Sequence, residues 1–256
     1  MNYIFDLGPR DVMFASSDIG WIVGHNFIIY GPLVRGGTTV MYEGKPVGTP
    51  NAGVAWRIIE DYKVKSFFIA PTGVRAIKKE DLEGALLRQH DISSLKSVHL
   101  AGERCDPETI RWLQKQLPGV HVNDNWWQTE TGWPMCSNYI NLTTFPTKPG
   151  SATKPCPGWD IKIMNDEDQV VEEPNKEGKI VVKLPCPPGH MDGLWGNDQA
   201  YVDKYLSSPE GWYLTGDAGV MDQDGYLYVL TRTDDVINTA GHRISTGRIE
   251  EVLSDL

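Results

Sequence analysis

A change of texture near residue 133 constrains this chain more than any other feature. Up to Asp124, short apolar strands alternate with helical periods. Val12–Ala15 reads as a strand, and Ser17/Asp18 are candidate caps for a helix running from Gly20 towards Leu33. Thr38–Tyr42 reads as a strand, and Asn51–Tyr62 as a helix with Val54, Ile58 and Ile59 on one face. Ser66–Ala70 is a buried-type strand stopped by Pro71. Ser97–Ala101 is another, followed by a helix over Pro107–Leu117 and a last strand at Val120–Asn123. Strand–helix alternation at this spacing predicts an α/β unit: a parallel-rich sheet with flanking helices. Beyond Gly132-Trp-Pro-Met135, prolines crowd in and strands shorten to Asp160–Met164, Lys179–Leu184, Gly219–Asp222 and Tyr226–Leu230. That pattern predicts a small antiparallel β-barrel subdomain. From Arg232 the chain turns polar, and a helix expected near Thr246 is cut short at Leu256, so the chain reads as a piece of something longer.

Composition excludes several classes. With 24 Lys and Arg against 34 Asp and Glu, the formal charge is −10, which opposes a nucleic-acid or anionic membrane surface. The apolar share of 40% is too high for a disordered chain. Cys105, Cys136, Cys156 and Cys186 lie far apart with no CxxC pair, so neither a zinc site nor a disulfide framework is indicated, and a reducing compartment is the simpler expectation. The opening MNYIFDLGPR has no signal-peptide pattern, and the most apolar stretch, Trp21 to Val34, is broken by polar residues, glycines and Pro32. The chain reads as soluble.

Three segments carry more chemistry than their elements need. The first is Asp124-Asn-Trp-Trp-Gln-Thr-Glu-Thr-Gly132, directly after an expected parallel strand, where open α/β sheets bind ligands. A hydroxyl (Thr129) beside a carboxylate (Glu130) suits phosphate-plus-magnesium chemistry, and a polar turn with a packed Trp pair is the plain alternative. In the second, Trp212-Tyr-Leu-Thr-Gly-Asp217, Gly216 is expected to make a tight turn that projects Asp217 towards a cis-diol, although such a bend is also a common structural turn. The third, Arg232-Thr-Asp-Asp235 with Gly241-His-Arg243, suits phosphate recognition, and equally a solvated loop with surface ion pairs.

In this order and spacing the three segments resemble the adenylate-forming superfamily, specifically the short-chain acyl-CoA synthetases of the acetyl-CoA and propionyl-CoA synthetase group. The resemblance covers essentially the whole chain. It includes Asp18-Ile-Gly-Trp-Ile-Val-Gly-His25, Ala70-Pro-Thr72 with Arg75, Ala101-Gly-Glu103, and Gly150-Ser-Ala-Thr153 with Gly158. It implies a two-step ligase reaction: a carboxylate attacks the α-phosphorus of ATP to give an acyl-adenylate and pyrophosphate, then coenzyme A takes the acyl group and AMP leaves. Such chemistry rests on positioning and charge neutralisation.

The resemblance also implies roles residue by residue. Thr129 would contact the α-phosphate and Glu130 would help bind Mg2+, while Arg243 would reach a phosphate. Asp217 would grip the ribose hydroxyls, with Arg232 beside it. Adenine would lie between the Gly102, Glu103 and Arg104 backbone and the strand end at Asp124, Asn125 and Trp126, with Gln128 nearby. Ile22, Val23, Ala101 and Trp127 would line the acyl pocket, Trp127 forming a floor that limits the acid to a short one. Ala101, small where acetate-specific members carry valine, tilts the expectation from acetate to propionate. Asp234 matches a hinge and Gly241 a pantetheine tunnel. Arg104 stands where many members have proline. The expected division is 1–133 (α/β part of the AMP-binding domain, incomplete at its start), 134–231 (β-rich part) and 232–256 (hinge and truncated C-terminal domain).

The family's phosphate loop and C-terminal lysine domain are not among these residues, so the isolated chain is expected to be inactive. The alternative expectation is a non-catalytic adenylate-binding or interaction module. Expected partners are small-molecule substrates (a short-chain carboxylate, ATP and coenzyme A), with no nucleic acid and no membrane insertion. The expected compartment is the cytoplasm or the mitochondrial matrix.

Overall fold

The structure is a computed structural model that describes every residue except 46, 48, 208, 234–236, 240–241 and 245–256, with residues 237–239 and 242–244 described in backbone only. Strands β1 (Val12–Ser16), β2 (Thr38–Val40), β3 (Ser66–Ile69), β4 (Ser97–Leu100) and β5 (His121–Asp124) form one sheet in the order β2-β1-β3-β4-β5. Every pairing in it is parallel. Parallel strands need crossover connections, and the helical periods of the sequence supply them. β3 and β4 are buried at every position, as a sheet covered on both faces requires.

Side-chain alternation sends Phe67 to one face and Phe68 to the other. Phe67 joins a core with Trp56, Ile59, Val74, Ile110 and Leu113, drawn from α4 (Val54–Tyr62), α5 (Pro71–Glu80) and α6 (Pro107–Gln116). Phe68 joins a second core with Phe5, Met13, Phe27 and Ala101. Pro71 does more than stop β3: its fixed φ suits the first position of a helix, and it opens α5 directly. α6 starts on Pro107 behind Asp106, whose carboxylate accepts from Thr109 N and Thr109 Oγ1, both at 2.8 Å.

After the short α1 (Asn2–Phe5), the expected helix beyond Gly20 is present over residues 22–34, as α2 (Ile22–Gly24) and α3 (Gly31–Val34) around a middle turn, with a different entry. Asp18 accepts from Gly20 N at 2.7 Å within the preceding turn, and no side chain caps Ile22. The middle of this helix, His25–Tyr30, is π-helical, with Gly31 N donating to Asn26 O one residue beyond the α-helical partner. Phe27 lies in that turn, fully buried. It stacks on Phe68 at 4.7 Å and on Trp133 at 5.1 Å, and meets Trp127 edge-on at 5.4 Å.

The second half is antiparallel. β8 (Ile161–Met164), β9 (Gly178–Lys183), β10 (Trp212–Met221) and β11 (Leu227–Arg232) pair in the order β11-β10-β9-β8 over a core of Met135, Ile163, Val182, Tyr205, Tyr213 and Leu227. β6 (Cys136–Ser137) pairs with β7 (Lys154–Pro155), and β12 (Ile237–Thr239) with β13 (His242–Ile244). Between β9 and β10 a helical stretch, Asp198–Tyr201 continued by a π-helical turn at Val202–Leu206, packs on β10. No helix among the described residues is long and apolar enough to cross a membrane.

Replacing the fully buried Phe27 by alanine should lower the unfolding free energy by about 3–5 kcal/mol in chemical denaturation. A loss below about 1 kcal/mol would show that this aromatic stack is not what joins helix and sheet.

Candidate active site

A cleft of about 870 Å³ opens where the carboxyl ends of β1, β3, β4 and β5 face the antiparallel sheet. This is where an open parallel sheet offers its loops to a ligand. The cleft collects every expected site residue from Ile22 to Arg232: Ile22, Val23, Ala101, Gly102, Glu103, Arg104, Asp124, Asn125, Trp126, Trp127, Gln128, Thr129, Glu130, Asp217 and Arg232. Asp234 and Gly241 lie outside the described residues. Arg243 is described only as a backbone position opposite Asn238.

Asp217 is not at a tight turn. Gly216 and Asp217 lie inside β10, where the three residues between Leu214 and Ala218 stand opposite the single residue Ile180 of β9, a bulge that absorbs the extra length. Gly216 takes φ 72°, a backbone conformation that favours glycine, with the tip of the Arg232 side chain lying over it. In register, Asp217 faces Arg232. Its Oδ1 accepts from Arg232 Nη1 at 3.2 Å, and its Oδ2 from Trp126 Nε1 at 3.1 Å and Gln128 Nε2 at 2.8 Å. The residue is 6% exposed rather than projecting. Burial pushes its carboxyl above the usual range, against the pull of Arg232, Trp126 and Gln128.

Thr129 and Glu130 occupy the turn just past Trp127, with Thr129 exposed and Glu130 half-buried. Thr131 N and Gly132 N donate to Gln128 O at 3.1 and 3.0 Å and close that turn. Asn26 Nδ2 donates to Gly132 O and fastens the turn to the π-helix. Glu130 Oε1 accepts from the Tyr205 hydroxyl at 2.6 Å.

On the opposite wall Gly102 takes φ 104° with open space where a Cβ would stand, leaving its peptide faces clear. Glu103 accepts from Thr72 N at 2.5 Å, from Thr72 Oγ1, and from Arg75 Nη2 at 2.9 Å. Arg75 also reaches the Asp106 cap at 3.4 Å, so α5 and α6 hold the 102–104 loop between them. Asn125 contributes backbone only: its Nδ2 donates to Leu100 O at 3.0 Å and its Oδ1 accepts from Ser137 Oγ. Burial raises the Asp124 carboxyl well above the usual range, opposed by the Asn125 backbone and the Arg104 charge.

Other chemistries find little support among the described residues. Burial raises the thiols, Cys186 to about 11 and Cys156 to about 12, so neither supplies a thiolate at neutral pH. His99 is fully buried, its ring 4.2 Å from that of Phe5, and burial lowers it to about 3. No group of three or more His, Cys, Asp or Glu among the described residues could hold a metal ion.

Sequence reading missed several lining residues, including Ser17, Trp21, Phe68, Val229 and Thr231, and the tyrosines behind the cleft. For Tyr213 a signal exists: it alternates with Thr215 and Asp217, and all three face inward on β10. For Tyr205, on a short helical stretch set by tertiary packing, the local sequence offers none.

With this geometry in hand, comparison with known proteins is decisive. Residues 1–195 match the model of the AMP-binding enzyme family. The chain belongs to that family. It is 50% identical over 252 residues to the acyl-CoA synthetase short-chain family member 3, mitochondrial, of Mus musculus, covering 98% of this chain and 37% of the relative. It is 43% identical over 258 residues to the propionate–CoA ligase of Salmonella typhimurium, covering 99% and 40%. The chain thus spans about two fifths of the length of these curated relatives. The fold matches that of the anthranilate CoA ligase AuaEII in complex with anthranoyl-AMP, with a TM-score of 0.81 at 24% identity over 99% of this chain and 45% of that one.

The raised Asp124 carboxyl sets a pH dependence. Unfolded, it ionises near pH 4; folded, it holds its proton to higher pH, so stability falls as pH rises between those two values. Asp124→Asn should gain stability relative to the native chain as pH rises above about 4 in urea titrations. A constant difference across that range would refute it.

Proposed function

We propose that this chain forms the acyl-adenylate site of an AMP-forming acyl-CoA synthetase acting on a short carboxylic acid, propionate in preference to acetate. The observation that carries the proposal is the convergence of Thr129, Glu130, Trp127, Asp217 and the Gly102–Arg104 loop on one cleft. The likeness to a propionate–CoA ligase and a short-chain acyl-CoA synthetase supports it.

In this reading the nucleotide lies across the cleft. Adenine rests on the Gly102–Arg104 backbone, which the open face of Gly102 allows. Asp217, held by Trp126, Gln128 and Arg232, presents carboxylate lone pairs to the ribose hydroxyls. The exposed Thr129 hydroxyl donates to the α-phosphate. The acid lies against Ile22, Val23 and Ala101 with the Trp127 indole as its floor. A carboxylate oxygen attacks the α-phosphorus as the bond to pyrophosphate breaks; the thiol of coenzyme A then displaces AMP from the acyl carbon. Both steps move charge on oxygen, so the residues serve by orientation and donation rather than as an acid–base pair.

Magnesium fits this site in one way. Glu130 belongs to no cluster of three or more ligating side chains among the described residues, which suits an ion that takes most of its ligands from phosphate oxygens and water. When bound, such an ion neutralises phosphoryl charge. Asp234, Gly241 and Arg243 remain proposed as hinge, pantetheine and phosphate residues on resemblance alone. The division at 133/134 and 231/232 is likewise proposed, as is a cytoplasmic or mitochondrial-matrix setting.

One methylene in an apolar pocket is worth about 1–3 kcal/mol, so Ala101 can favour propionate only modestly, whereas Trp127 excludes longer tails sterically. Thermal shifts with AMP and with acetyl-, propionyl-, butyryl- and hexanoyl-adenylate analogues test both points. The propionyl analogue should stabilise most and the hexanoyl analogue no more than AMP. Trp127→Gly should reverse that order, and Asp217→Asn should weaken AMP binding about 10-fold or more through the lost charge-assisted contacts. Unchanged chain-length preference in Trp127→Gly sinks the pocket assignment.

A further inference from the structure

Glu130 is held from behind by a stretch of chain that touches the cleft nowhere else. The Tyr205 hydroxyl donates to Glu130 Oε1 at 2.6 Å, and Met191 N donates to Glu130 O at 2.8 Å. Tyr205 sits in the π-helical turn at Val202–Leu206 and is 5% exposed. Its ring stacks on that of Tyr213, with centroids 5.6 Å apart and planes 8° from parallel. Tyr213 is fully buried and donates to Gln128 Oε1 at 3.0 Å, and Gln128 Nε2 donates to Asp217 Oδ2. Two stacked phenols thus reach two of the cleft carboxylates, Tyr205 meeting Glu130 directly and Tyr213 meeting Asp217 through the Gln128 amide.

A buried tyrosine hydroxyl needs an acceptor, and a backbone carbonyl would serve for packing alone. Here the acceptor is a half-buried carboxylate at the ligand cleft. A carboxylate has two oxygens, so fixing Oε1 leaves Oε2 with a defined direction. A rigid turn with a fixed oxygen is what an ion of strict octahedral geometry requires.

We propose that Tyr205 is a positioning residue: its hydroxyl orients Glu130 so that the remaining oxygen meets the divalent cation of a nucleoside triphosphate. The proposal rests on the reading of Glu130 as the cation's carboxylate. Tyr205 touches neither nucleotide nor ion.

Calorimetric titrations with AMP alone, and with ATP over a series of Mg2+ concentrations, test it. Tyr205→Phe keeps the stacked ring and removes the donor. AMP affinity should stay within about twofold, while ATP affinity in saturating Mg2+ falls about 10-fold and the Mg2+ needed for half-saturation rises by a similar factor. Glu130→Gln should show the same selective loss, and the double variant no further loss, since both remove one interaction. Native Mg2+–ATP binding by Tyr205→Phe, equal losses for AMP and ATP, or additive losses in the double variant each overturn the proposal. If Tyr205→Phe does not fold, Glu130→Asp, which draws the carboxylate away from an intact Tyr205, must give the Mg2+-selective loss; native binding there overturns it. Failure of the native chain to bind AMP refutes the cleft assignment itself. Native Mg2+–ATP binding by Glu130→Gln, with AMP binding intact, refutes only the role of Glu130 and what rests on it.

Discussion

The buried Asp217 carboxylate is the point on which the two halves of the molecule meet. It belongs to the antiparallel sheet, yet two of its three side-chain donors, Trp126 and Gln128, follow the last strand of the parallel sheet. Burying a carboxylate is unfavourable unless it is paired and hydrogen-bonded, and removing one partner from such a set costs more than the set contributes. The three donors therefore lock the loop after β5 against β10. With the contacts of Ser137 to Asn125 and of Tyr205 to Glu130, that lock holds the two walls of the cleft together.

Around this point the cleft divides by chemistry. One side is polar: Thr129, Glu130, Asp217 and Arg232, which suit a phosphate, a cation and a diol. The other is apolar: Ile22, Val23, Phe68, Ala101 and Trp127. The aromatic stack of Phe27, Phe68 and Trp133 lies behind Trp127 and holds its indole edge-on. In the proposed function, a floor held in this way would discriminate by shape, because close-packed rings cannot yield to a longer tail without loss of contact. The polar groups are supported as well, Glu130 by Tyr205 behind it and Glu103 of the opposite wall by Arg75, which also reaches Asp106.

Much of this was legible in the residues. The parallel strands are short apolar runs between helical periods, and they fall within a residue or two of their expected ends. The expected site residues that can be located all reach one cleft. Where the reading failed, a nonlocal cause is visible. Gly216 looked like the centre of a turn because a glycine before an aspartate usually is one; instead β9 and β11 pair on both sides of it and turn it into a bulge. Pro71 looked like a terminator, and is one for β3, but the same fixed φ opens α5. The helical stretch from Asp198 to Leu206 carries Tyr201, Tyr205 and Leu206 at helical spacing, but it is too short to persist alone and is held by packing on β10.

The sequence alone determined the layer order and the inventory of chemical groups, because period and composition are local properties that survive in any compact arrangement of the chain. Tertiary structure decided which groups share a space. Register put Arg232 opposite Asp217, and a bulge turned that carboxylate inward. Packing between residues 75 positions apart brought the Tyr205 hydroxyl to Glu130. Such contacts depend on loop closure and strand pairing across the whole fold, and no window of neighbouring residues encodes them.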